Sequence, residues 1–109
     1  MKPEQGEDTS GTAYVLHLYI TGVTPNSTRA VRNLKDICDR YLAGRYELQI
    51  VDIYQQPEKA QEARIVAAPT LVKRSPGGAR WLVGDLSDRE RVLALLDLTP
   101  DPNDPYLHG

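Results

Sequence analysis

The side chains best equipped for nucleophilic, redox or metal chemistry in this chain are one thiol, Cys38, two imidazoles, His17 and His108, and one hydroxyl beside a helix start, Ser27. A disulfide-exchange centre needs paired thiols and a zinc site needs about four N or S donors, so a lone cysteine and two distant histidines supply neither. A serine becomes a nucleophile only when a paired base takes its proton, and no histidine stands near Ser27 in the sequence. Cys38 falls at helical spacing with Leu34, Ile37 and Tyr41, the pattern of a buried stripe in which a thiol is inert. His17 lies inside an apolar run and reads as a packed or strand-surface histidine. No glycine-rich phosphate loop and no recognisably set pair of carboxylates occurs. The residues therefore predict no catalysis, no cofactor and no metal, and leave binding as the function.

The elements that would position these groups fit one domain, since 109 residues have room for a single core. A net charge of -2 gives nucleic acid and anionic membranes no long-range attraction. No apolar run reaches the roughly 18 residues of a membrane span and no signal peptide opens the chain, so a cytoplasmic protein is expected. "YVLHLYI" at 14–20 is apolar nearly throughout, as a central strand covered on both faces would be. Thr24 can cap and Pro25 can begin a helix whose stripe is Ala30, Val31, Leu34, Ile37, Cys38, Tyr41 and Leu42, ending at Gly44. "YELQIVDI" at 46–53 is less apolar and nearer an edge, and the resulting βαβ unit requires parallel strands with a right-handed crossover.

A short helix is expected within "QPEKAQEARIVAA", and "TLVKR" and "ARWLVG" around "SPGG" form a hairpin. Ser87 and Glu90 have the spacing of a capping box, followed by the apolar face of Val92, Leu93, Leu95 and Leu96. The ends, 1–12 and 99–109, lack the apolar surface that offsets ordering entropy and read as flexible tails around a domain at 13–98. The order β-α-β, short α, β-hairpin, α, with Pro69 entering the third strand, resembles the thioredoxin fold. That resemblance implies a cis Ala68–Pro69 bond opposite the start of the first helix. It also implies a reactive thiolate at that start in redox members, where this chain has Val23-Thr24-Pro25-Asn26-Ser27.

A more specific resemblance covers residues 13–98. "YVLHLYITGVTPNSTRAVRNLK", "VDIYQQPEKAQEARIVAAPTLVK" and "GDLSDRERVLALLDL" closely resemble the KaiB family, with "TPNS", "APTL" and "GDLS-x-RE" in order at ungapped spacing. The resemblance implies a non-catalytic clock or signalling adaptor. Such a protein docks on the N-terminal ATPase ring of a KaiC hexamer, favours dephosphorylation, and engages KaiA only where the host has it. It further implies self-association to a dimer or tetramer and two folds of one sequence. One is α/β and thioredoxin-like (βαβ-α-ββ-α); the other is a tetrameric ground state with a rearranged C-terminal half (βαββααβ).

"EARIVAAPTLV" and "RVLALLDL" are apolar runs that either a helix or a strand could bury, in keeping with this implication. Leu95 stands where cyanobacterial members often carry glycine, which favours the thioredoxin-like form if the other needs positive φ there. Contact residues carried across by resemblance are Tyr14, Arg29, Glu47, Gln49, Arg64, Lys73 and Arg80. Glu47 and Gln49 replace a small residue and a lysine, which points to a diverged partner surface. Trp81 weighs more towards hairpin packing than towards an interface anchor. The competing readings are a thioredoxin-fold oxidoreductase, a stress-response interaction module without a clock, and a sensor module resembling the input domain of the kinase SasA. A chain ending at Gly109 without a kinase region speaks against the last.

Overall fold

The computed structural model describes residues 13–107. The strand β1 (Tyr14–Ile20) occupies the interior of a four-stranded sheet. It pairs in parallel with β2 (Tyr46–Asp52) and antiparallel with β3 (Thr70–Ser75), which in turn pairs antiparallel with β4 (Arg80–Val83). The sheet order is therefore β2-β1-β3-β4, with β2 at one edge, as its mixed polarity suggests. The helices are α1 (Pro25–Tyr41), α2 (Pro57–Glu62) and α3 (Arg89–Leu95). This is the thioredoxin-like order, and residues 89–95 are helical in it.

Apolar side chains sort onto the two sides of the sheet by the alternation of strand residues. Leu16, Leu18 and Leu71 meet Ala30, Leu34, Ile37, Cys38 and Leu42 of the α1 stripe and Val92, Leu93, Leu95 and Leu96 around α3. Each fully buried leucine or isoleucine there contributes about 1.5–3 kcal/mol relative to exposure. The opposite side holds the smaller cluster of Tyr19, Val51, Ala63 and Val72.

The start of α1 is fastened by small polar groups. Thr24 accepts a hydrogen bond from the Ser27 amide at 3.2 Å, and the buried Ser27 hydroxyl accepts one from the Thr21 amide at 3.2 Å. Gly44, at φ 74°, supplies the left-handed turn beyond the helix. Ala68–Pro69 is cis, and so is Ser75–Pro76.

Two expectations need correction. The capping box does not form: α3 begins one residue later, Asp88 caps it by accepting from the Arg91 amide at 3.3 Å, and the Ser87 amide instead donates to Asp85 at 3.0 Å. Aspartate is as good a cap as serine, and the later start places Arg89 where tertiary partners reach it. A cation in a first turn opposes the helix dipole; two carboxylates offset this, Asp104 at 2.7 Å from Nε and Asp36 at 2.7 Å from an Nη.

The second correction concerns the chain beyond Leu98. Asp104 is 3% exposed, it accepts from the Tyr41 hydroxyl at 2.9 Å and from Arg89, and Leu107 packs against the main core. The Tyr106 ring lies under the Arg89 guanidinium, 5.0 Å from ring centroid to Cζ. Composition misses this segment because the ion pairs of Asp104 with Arg89 and, at 4.0 Å, with Arg40, together with a few side chains rather than an apolar stripe, hold it. The expected N-terminal tail at 1–12, together with residues 108 and 109, lies outside the described residues.

Candidate docking face

Directly opposed residues on neighbouring strands point to the same side of a sheet, so the registers define the face on which α2 lies. One row runs Gln49, His17, Val72, Trp81 and the next Val51, Tyr19, Thr70, Val83, while Glu47 sits opposite Val15. The short α2 covers the middle of this face and leaves Glu47, Gln49, Trp81 and Val83 exposed. Beside them β2 has no second strand partner among the described residues, so outward backbone groups remain there for pairing. Trp81 combines both readings: its indole N–H donates to the Ala63 carbonyl at 3.1 Å, and it is still 47% exposed.

The contact residues carried across by resemblance do not converge on one patch. Glu47 and Gln49 share the α2 face, and exposed Arg64, at φ 58°, follows Ala63 at its rim. Tyr14 and Arg80 brace the end of α3 instead, the Tyr14 hydroxyl donating to the Leu96 carbonyl at 3.0 Å and Arg80 pairing with Asp97 at 3.3 Å. Arg29 pairs with Asp85 at 3.2 Å, and Asn33 donates to the Asp85 carbonyl at 2.9 Å, holding the approach to α3. Hydrogen bonds from the Ser87 side chain and amide, with Arg29 adding to them, keep the Asp85 carboxyl below its usual range. Lys73 departs from the expectation of a surface contact. It is buried, and its ammonium donates to the Pro76 carbonyl inside the hairpin turn, so it presents no surface charge.

One cluster escapes sequence reading. The pairing of β1 with β3 slips between Val15 and Leu16, leaving Arg74 as an extra residue opposite the slip. From there its Nε donates to His17 Nδ1 at 3.2 Å and an Nη donates to the Tyr19 hydroxyl at 3.3 Å. Burial, then the charges of Arg74 and Lys59, lower the His17 pKa and keep the ring neutral at pH 7. Alternation along β3 alone cannot reveal such a slip.

At the position where redox members of this fold need a thiolate, Ser27 is buried and committed to the Thr21 amide. Cys38 is also buried, and burial, with a smaller contribution from Asp39, pushes its pKa up to about 12. A thiol so protonated is neither a nucleophile nor a metal ligand at neutral pH.

Comparison with known proteins agrees with this architecture. Residues 17–98 match the family model of the KaiB domain. The circadian clock oscillator protein KaiB of Prochlorococcus marinus strain MIT 9303 is 49% identical over 88 residues, 81% of this chain and 74% of the relative. The protein of the same name from Nostoc punctiforme is 51% identical over 85 residues, 78% of this chain and 82% of the relative. Among solved structures, the N-terminal domain of Synechococcus elongatus SasA aligns with a TM-score of 0.67 at 25% identity, covering 92% of this chain and 98% of that domain. Fasciola hepatica thioredoxin aligns with a TM-score of 0.65 at 14% identity, covering 83% of this chain and 86% of that one, a likeness of fold alone.

Proposed function

The chain belongs to the KaiB family, and from that premise we propose that it is a non-catalytic clock adaptor. Its partner is the N-terminal ATPase ring of a KaiC-type hexamer, whose dephosphorylation it favours. KaiA joins only in hosts that have it, and free chains associate as dimers or tetramers in the cytoplasm. The observation that carries this reading is the α2 face, with exposed Glu47 and Gln49 on it and Arg64 at its rim, beside the β2 edge that has no second strand partner among the described residues. Exposed strand edges pair with partner backbone, and neighbouring side chains set which partner fits. The burial of Ser27 and Cys38 speaks against the competing oxidoreductase reading, because both are engaged in packing where chemistry would need them free.

Incubating the chain with its host's KaiC-type ATPase and ATP, followed by size exclusion, tests the reading. Co-elution is expected, and Glu47→Ala with Gln49→Ala weakens it by about tenfold, or about 1.4 kcal/mol. Failure of the unaltered chain to co-elute after long incubation overturns the proposal. Co-elution with a different partner, and none with the ATPase, selects the stress-response module instead.

A further inference from the structure

Beside α2 lies a recess of about 140 Å³ lined by His17, Tyr19, Gln49, Val51, Lys59, Glu62 and Arg74. Its polar groups are unbalanced towards donors. An arginine only donates, so His17 Nδ1, which receives the Arg74 Nε–H, carries no proton, and the neutral ring holds its hydrogen on Nε2. The same logic applies to Tyr19, which is 2% exposed: its oxygen accepts from Arg74, and its own O–H has no acceptor among the described residues. Neither Arg74 nor Lys59 has a carboxylate at ion-pair distance among the described residues. A donor held away from solvent without an acceptor is unfavourable, so the recess suits a partner that only accepts.

We propose that this recess binds a small oxyanion, a carboxylate or a tetrahedral anion of the sulfate and phosphate class, between Arg74, Lys59, the Tyr19 hydroxyl and His17. A water takes about 30 Å³ of liquid volume, so a five-atom oxyanion has room here. Every element packed around His17 contributes to the balance: Lys59 and Glu62 from α2, Gln49 from β2, Arg74 from β3 and Tyr19 from its own strand. Glu62 is the sole acid among them and lowers the net attraction without cancelling the two cations. The inference does not rest on the docking reading, since the free chain suffices to test it.

His17 reports on the recess. Protonation would set a second N–H against the Arg74 Nε–H, and a bound anion offsets that repulsion, so anion binding and protonation favour each other. Titrating the full chain by NMR from pH 5 to 8 in sodium sulfate, against sodium chloride at equal ionic strength, gives the shift directly. We expect His17 to titrate about half a unit higher in sulfate, which corresponds to about threefold tighter binding to the protonated form. Lys59→Gln and Arg74→Gln each reduce the shift, and Lys59→Gln, on the helix surface, serves if Arg74→Gln does not fold. Sodium acetate in place of sulfate tells a carboxylate site from a tetrahedral one. A His17 titration that is the same in chloride, sulfate and acetate overturns the inference, as does a sulfate shift undiminished by Lys59→Gln.

Discussion

Replacing Asp104 by alanine tests how the C-terminal segment is held. The Asp104 side chain is fully buried and accepts from Arg89 Nε at 2.7 Å, the Tyr41 hydroxyl at 2.9 Å and the Tyr106 amide at 3.0 Å. The Arg89 side chain is only 6% exposed, and Asp36, itself 47% exposed, is the other carboxylate bonded to it. Stranding one member of a buried pair costs about 3–5 kcal/mol; the retained Asp36 places the loss near the lower end, about 3 kcal/mol. For a domain of this size that is a fall in Tm of roughly 12–24 °C, read by circular dichroism with urea titration as the equilibrium measure. Arg89→Met combined with Asp104→Leu recovers more than half of the loss, because no buried charge is left unpaired and Asp36, 47% exposed, is left to solvent.

Acid sensitivity follows from the same contacts. Burial alone would raise the Asp104 pKa, but the Tyr106 amide, Arg89 and Tyr41 together hold it below its usual range. A depressed folded pKa means the stabilisation is present above the unfolded value of about 3.9 and is lost as pH falls through the folded one. Asp104→Asn is therefore less stable near neutrality and loses less below about pH 4. A cost under about 1 kcal/mol for Asp104→Ala, or a double variant as unstable as the sum of its singles, would refute the reasoning.

Two further outcomes follow from single contacts. Cys38, buried and with its pKa pushed up to about 12, reacts with Ellman's reagent only after denaturation; labelling of the native chain within minutes at pH 7.5 contradicts the assignment. Asp88→Ala costs about 0.5–2 kcal/mol as the loss of a helix cap, whereas Ser87→Ala stays within about 0.5 kcal/mol. The reverse order in chemical denaturation would restore the capping box at Ser87.

The first half of the fold is legible because its signals are local. The apolar run of β1, the Thr24-Pro25 start and the stripe through Leu34 and Cys38 each specify an element by periodicity, and the structure has them at those positions. Edge placement of β2 follows from its lower apolarity. The start of α3 is less legible, since Ser87 and Asp88 are both competent caps and the choice falls to where Arg89 finds its carboxylates. Lys73 reads as a surface cation in a strand, yet the hairpin turn folds a carbonyl over its ammonium.

Sequence by itself determined the α/β order, the apolar stripe of α1, the family and the burial of Cys38, because each is written in residue spacing or in matching strings along the chain. Tertiary structure alone decided that Asp104 closes on Arg89, that Tyr14 and Arg80 brace α3, and that a slip in strand pairing turns Arg74 towards His17 and Tyr19. The physical reason is range. Periodicity reports what a residue does with neighbours one turn away, whereas an ion pair 15 residues apart or a register slip across 57 depends on where the folded chain brings distant groups together.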